Sequence, residues 1–207
     1  VVLDYNGDRW PAETDAAFLD YVQGGGGVVI YHAADNAFAG WDEFNRIIAL
    51  GGWEGRNEKS GPYCYLKDGK LVLDHSAGPG GSHGAQREYV MHGRDTKHPV
   101  TKGLPVNWMH AQDEMYDRMR GPANIGDLLY SGMTDPATGG SGREEPLVFT
   151  VDYGRARICH LMLGHCGPTA EDNPAMQCAG FQTLLLRGAE WAATGKVCLL
   201  YTSDAAD

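Results

Sequence analysis

The chain has 207 residues, of which 43% are hydrophobic, and it carries a formal net charge of −10 at pH 7. That length and apolar content support one globular domain with a sizeable core and exclude a disordered chain. Acidic residues are scattered, Lys and Arg form no cluster, and no run reaches the ~20 apolar residues of a membrane-spanning helix, so neither nucleic acid nor membrane is an expected partner.

In chain order, "VVLDY" is an apolar strand and "NGD" its turn. A helix then opens on Pro11 as its first residue, with Glu13 and Asp15 favourable near its positive end. Phe18, Tyr21 and Val22 give this helix an apolar face, and Gly24 is its expected stop. "GVVIYH" shows no polar alternation, the mark of a strand buried on both faces of a parallel sheet. A second helix is expected from Trp41 to Leu50, stopped by Gly51 and Gly52. "YCYLKDGKLVL" reads as a hairpin about its Asp-Gly turn, residues 77–84 as a loop, and "REYVMH" and "IGDLLYSGM" as strands. "PLVFTVDYGRARICHLML" gives two antiparallel strands joined at Tyr153-Gly154, and a last helix covers Met176 to Ala193. The order predicts one α/β domain over residues 1–197. The chain starts on Val1 with a strand under way. "CLLYTSDAAD", residues 198–207, has no helical or strand pattern and reads as a non-native tail of the kind that ends metagenomic fragments. Cys64, Cys159, Cys166 and Cys178 form no CxxC pair and read as structural thiols. The compartment, cytoplasmic or periplasmic, is not encoded in these residues.

In open α/β sheets, ligands bind beyond the carboxyl ends of the strands. Three groups of polar residues fall there: Asn6 and Asp8 after "VVLDY", His32 with Asp35 and Asn36 after "GVVIY", and His165 after "ICHLML". Each has a plainer reading as well. A strand-ending histidine is often a hydrogen-bonded structural residue, Asn6 and Asp8 suit a turn, and Asp35 and Asn36 suit a helix cap. "HAQDEMYDRM" adds His110, Asp113, Glu114 and Tyr116, where adjacent carboxylates beside His and Tyr supply a general base, a metal ligand or sugar hydrogen bonds. "GGSGREEP" places Arg143, Glu144 and Glu145 in a loop before a strand. Trp10, Trp41, Trp53 and Trp108 flank these loops and serve either sugar stacking or the core. "GHCGP" departs from a Cys nucleophile elbow, since Pro168 replaces its second glycine, and "GGGG" precedes a strand instead of opening a helix, which excludes a phosphate-binding loop.

"GGGGVVIYHAADN", "HPVTKGLP" followed by "DEMY", "PLVFTVDYGRARICHLMLGH" and "LLLRGAEWAATGKV" together resemble the ThuA-like (trehalose utilisation) domain of the class I glutamine amidotransferase-like superfamily, over Val1 to Val197. The resemblance implies a flavodoxin-like, doubly wound, mostly parallel sheet with an inserted β-hairpin region, apparently short of the family's N-terminal β-α-β. It matches the strand-ending histidine to His32, Asp-Glu-x-Tyr to Asp113, Glu114 and Tyr116, and Leu-Gly-His to His165. "AADNAF" stands where an amidotransferase would carry its cysteine, so glutamine hydrolysis is not implied.

The implied role is sugar catabolism on a trehalose-like disaccharide, glycoside or 3-keto derivative. The reaction would be an isomerisation, lysis or hydrolysis using His32, Glu114, His165 and Tyr116. Asn6, Asp8, Asp35, Asn36, Asp113, Arg143 and Glu145 would bind substrate. In a metal variant, His32, Glu114 and His165 hold a divalent ion such as zinc. The rival reading is a non-catalytic carbohydrate-binding or accessory domain, and a homo-oligomer fits either.

Overall fold

The protein, seen in a computed structural model, is described over residues 1–169 and 173–198; apart from Cys198, the expected tail lies outside these residues. Strand β1 is short, Val2–Leu3. Helix α1 (Ala12–Gln23) follows, with Pro11 as its N-cap, one position earlier than expected, and Phe18 and Val22 buried. The next strand, β2 (Gly27–Tyr31), is buried along almost its whole length. A short 3-10 turn at His32–Asp35 leads on to helix α2 (Asp42–Ile48). Helix α2 ends one turn before the glycines expected to stop it, because Ala49 takes a φ of 62° and breaks the spiral.

The hairpin falls where the Asp-Gly pair places it, as β3 (Tyr63–Lys67) and β4 (Lys70–Asp74). Asp68 and Gly69 both have positive φ, 52° and 74°, as a two-residue hairpin turn requires. A two-residue strand β5 (Ser82–His83) precedes β6 (Arg87–Gly93) and β7 (Asn107–Asp113). Then come β8 (Tyr116–Asp117), β9 (Ile125–Met133), β10 (Glu144–Val151) and β11 (Arg157–Leu161). Strand β7 had no clear signature, since its mixed apolar and polar residues follow no period of two. The expected last helix divides into α3 (Pro174–Gln177) and α4 (Ala179–Thr194), because Cys178 has extended backbone between them.

The main sheet runs β1-β2-β11-β10-β9-β6-β7, with β3 pairing to β10 and β4 to β3. The class is α/β, as expected, but the sheet is mixed. Only β1–β2 and β2–β11 are parallel, while β11–β10, β10–β9, β9–β6, β6–β7 and the hairpin are antiparallel. Short connections make consecutive strands such as β3–β4 and β10–β11 antiparallel, whereas the α1 crossover allows β1 and β2 to run parallel. Helix α4 packs against β2 and β11. It comes so close that a Cβ on Gly27 would lie 2.1 Å from the Ala192 carbonyl oxygen, which is why β2 begins on glycine. No helix among the described residues is long and apolar enough to cross a membrane.

Candidate functional site

Parallel pairing of β2 with β11 sets Tyr31 opposite Leu161, so the chain leaves both strands at the same edge of the sheet. His32 is the first residue beyond β2, and His165 follows four residues beyond β11. His32 Nε2 and His165 Nδ1 lie 3.1 Å apart. His32 has a φ of 37°, a left-handed conformation that costs a non-glycine residue about 1–3 kcal/mol and is kept where surrounding structure fixes it.

Part of that fixing comes from Arg56, which sequence reading passed over. Its guanidinium is buried and donates to the carbonyls of Asn36, Ala37 and Gly52 and to the Asn45 side chain, clamping the turn that carries His32. Tyr116 completes the support, its ring stacked on His32 with centroids 4.3 Å apart.

The third member comes from far away in the sheet. Glu114 directly follows β7, which is at the opposite edge from β1. The sheet curls enough to carry the end of β7 to the exit of β11, and Asp113 holds that closure. Its buried carboxylate accepts from Nε2 of His110 (2.8 Å) and from the backbone N–H groups of Gly164 (2.8 Å), His165 (3.0 Å) and Glu114 (2.8 Å). Burial alone would raise the Asp113 carboxyl, but the bond from His110 prevails and holds it below the ordinary aspartate value.

Glu114 Oε2 thereby sits 3.1 Å from His165 Nδ1 and 3.6 Å from His32 Nε2. Contact with His32, working against partial burial and helped by His83 and Gln86, holds the Glu114 carboxyl down at about 2. It is a carboxylate across the physiological range. His32 is buried, whereas Glu114 and His165 are half-exposed, so the trio opens to solvent on one side.

Two residues that sequence reading did not nominate stand at its rim. Gln86 Nε2 donates to Glu114 Oε1 at 3.3 Å. His83 has Nδ1 2.8 Å from the Gly84 carbonyl oxygen, so Nδ1 carries the proton, and its free Nε2 lies 3.9 Å from Glu114 Oε2. The available signal was a histidine in a glycine-rich loop; its direction is set by the β5–β8 pairing of His83 with Tyr116. Of the four tryptophans that flank the predicted loops, Trp53 borders the site, 4.7 Å from Tyr116 and 6.0 Å from His83 between ring centroids. Trp10 and Trp41 pack in an aromatic cluster with Phe18 and Phe38, and Trp108 lies against Gly180.

The other nominated residues have different surroundings. Asp35 is fully buried, its carboxylate 2.5 Å from Nε2 of His160, whose Nδ1 donates to the Ile48 carbonyl at 2.7 Å. Asn36 reaches the Tyr116 hydroxyl with its amide at 3.5 Å. Asn6 and Asp8 are exposed in the turn after β1. Arg143 pairs with Asp74 at 3.2 Å and lies over the Tyr65 ring, and Glu145 is buried against Asp117. No hydrogen bond or ion pair among the described residues joins these last four to the trio. Asp113 thus sits behind the site, hydrogen-bonded to protein groups, and Asp35 lies there paired with His160.

Two imidazole nitrogens and a carboxylate oxygen converging on one point are a donor set suited to zinc and similar divalent ions. Metal–ligand bonds of about 2.0–2.1 Å place tetrahedral ligand atoms about 3.3 Å apart, and the separations here are 3.1, 3.1 and 3.6 Å. Nδ1 of His32 is buried and meets no hydrogen-bond partner among the described residues, so stacking and backbone, rather than an outer hydrogen bond, orient this ring.

Comparison with known proteins agrees with this architecture. A structure of a ThuA-like protein from Parabacteroides merdae superposes with a TM-score of 0.96 at 74% identity, covering 98% of this chain and 73% of that one. A ThuA-like protein from Bacteroides uniformis, 20% identical, shares the fold with a TM-score of 0.56, covering 94% of this chain and 70% of that one. No protein of curated function matches the chain significantly. The family model for ThuA, described as trehalose utilisation, matches residues 1–192, and the chain belongs to that family.

Proposed function

We propose that the protein is a sugar-catabolic enzyme on a flavodoxin-like scaffold. In this reading it acts on a trehalose-like disaccharide or its 3-keto derivative at a metal site formed by His32, Glu114 and His165. The observation that carries this reading is the convergence of their three donor atoms at tetrahedral spacing on an open face. Family membership supplies the link to trehalose utilisation.

A divalent ion held there would polarise a carbonyl or hydroxyl oxygen of the sugar. The remaining tasks fall to the chain. His83, its Nδ1 proton tied to Gly84, has its Nε2 lone pair available to take a proton from a carbon beside a ketone. Burial pushes the Tyr116 hydroxyl up, so it stays protonated and acts as a donor next to His32. Trp53 offers an aromatic face to a sugar ring, and Gln86 keeps Glu114 pointed inward.

The test is metal analysis and calorimetric titration of the purified chain with zinc, beside His165→Ala and Glu114→Gln, followed by turnover of 3-keto-trehalose. Stoichiometric metal in the parent, its loss in both variants and loss of turnover with it support the reading. Sugar binding without turnover, with or without metal, overturns it in favour of a carbohydrate-binding module.

A further inference from the structure

Two stretches of the sequence, "HPVTKGLP" and "LLLRGAEWAATGKV", contribute no group to the trio, and the fold brings them together elsewhere. His98, in the loop between β6 and β7, packs on Trp191 of α4 with ring centroids 4.9 Å apart. Arg187, buried on α4, donates through Nη1 to the carbonyls of Lys102 (2.8 Å) and Val100 (3.4 Å) and so ties the loop to the helix. Inside the loop, His98 Nδ1 accepts from the Val100 N–H, and the Thr101 hydroxyl reaches the Asp95 and His98 carbonyls. Between this loop and the end of α4 lies a cleft of about 650 Å³, walled by Lys97, Lys102, Gly103, Arg187, Gly195 and Lys196. Three of the chain's six lysines thus meet in one cleft of a protein whose net charge is −10. No carboxylate of the described residues lines the cleft with them.

Like charges gathered together repel unless something neutralises them, and the described residues do not. No ion pair among them joins Lys97, Lys102 or Lys196 to a carboxylate. The carboxylates nearest in sequence are engaged with backbone: Asp95 accepts from the N–H groups of Lys97 and His98, and Glu190 from that of Cys198. Nor do the lysines cap the helix, the usual reason for cations at a helix C-terminus. The end carbonyls of α4 already have donors, Arg157 for Ala192 (2.9 Å) and Ala193 (3.1 Å) and the Gly195 N–H for Trp191 (2.7 Å).

We infer that this cleft binds a small phosphate monoester, its phosphate held by the ammonium groups of Lys97, Lys102 and Lys196. All three lysines are exposed and able to swing onto it. Lysine is a compact point charge suited to phosphate, whereas a carboxylate is matched best by the fork of an arginine. Arg187 turns Nη1 to the loop carbonyls instead. A phosphate monoester carries close to two charges at pH 7, enough to offset several ammonium groups where a carboxylate offsets one. The volume suits a small molecule, and the protein's overall negative charge disfavours an extended polyanion such as nucleic acid. The cleft is separate from the trio and does not depend on its metal. Ala192 lies against Gly27 and Arg157, the first residues of β2 and β11, while the trio lies beyond the last residues of both strands. Five-residue strands put the two sites on the order of 15 Å apart.

The test is calorimetric titration of the full chain at low salt with glucose 6-phosphate, inorganic phosphate and glucose, beside the double variant Lys102→Gln/Lys196→Gln and His165→Ala. One molecule of glucose 6-phosphate should bind per chain, and glucose should not bind. Affinity for glucose 6-phosphate should fall at least about tenfold in the lysine variant, as loss of charged hydrogen bonds predicts, and stay unchanged in His165→Ala. Absence of saturable binding, or parent affinity in the lysine variant, would overturn the proposal. So would loss of binding in His165→Ala, which places the phosphate at the trio. Inorganic phosphate bound as tightly as glucose 6-phosphate overturns the ester in favour of the free anion. Urea titration of the lysine variant should show an unchanged transition, whereas a large destabilisation with binding intact makes these lysines helix-end charges.

Discussion

Two aspartate–histidine pairs lie beneath the trio, and both are wholly buried: Asp35 with His160, and Asp113 with His110. The first pair is closed. His160 spends its remaining nitrogen on the Ile48 carbonyl, so the pair ties the turn after β2 to β11 and the end of α2 and leads nowhere else. The second is open on the side of the trio. Asp113 reaches forward to the backbone N–H groups of Glu114, Gly164 and His165, while the His110 ring packs between Tyr89 and Trp108. One chemical pairing therefore serves as a strut in one place and as a junction between the sheet core and the trio in the other. The trio differs from both, because its groups face a partly open surface and satisfy one another incompletely.

The largest effect is expected at the junction. Asp113→Ala removes the partner of a buried histidine, a loss of about 3–5 kcal/mol, and strands three backbone N–H groups as well. Chemical denaturation should show the transition moved far to lower denaturant or no folded baseline. Asp35→Ala should cost about 3–5 kcal/mol by the same breaking of a buried pair. A smaller loss for Asp113→Ala than for Asp35→Ala would show that the junction is not the more heavily bonded of the two.

At the trio the order reverses. His165→Ala trims a half-exposed side chain and should shift stability by no more than about 0.5 kcal/mol, as surface changes do. Its consequence should appear in zinc affinity, where loss of one of three ligands ought to abolish stoichiometric binding in a calorimetric titration. A destabilisation comparable to that of the buried pairs would make His165 a structural residue.

These differences also show what the residues themselves reveal. The hairpin, β9, the β10–β11 turn and the placement of His32 and His165 at strand ends were legible, because turn residues and apolar runs are local signals. Antiparallel pairing over most of the sheet was not, since it depends on which strands meet. Glu114 was legible as one of a carboxylate pair, but its division of labour with Asp113 was not. One residue's difference sends Asp113 inward from the end of β7 and leaves Glu114 at the mouth, which only the curl of the sheet decides. His160 stood unnoticed in an apolar run, and Arg56 in a loop, since the partners of both are reached through folding.

A third buried carboxylate tests how far the partner decides the outcome. Glu145 is as buried as Asp113, but it faces another carboxylate, Asp117, which already accepts from the backbone N–H and hydroxyl of Ser141. Burial, then the bond and charge of Asp117, push the Glu145 carboxyl well above its ordinary value of 4.5, so it holds its proton and donates to Asp117. A raised acid binds more protons folded than unfolded. Its contribution is therefore intact below pH 4.5 and is lost as pH rises towards the folded value, with a limiting slope of about 1.4 kcal/mol per pH unit. Glu145→Gln supplies an amide N–H donor in place of the acid's O–H, with no proton to lose. Its stability relative to the parent should therefore improve steadily from pH 5 to pH 8 in parallel urea titrations. A difference that stays flat with pH would mean that Glu145 is ionised in the folded protein and that a cation, not a shared proton, balances the two carboxylates.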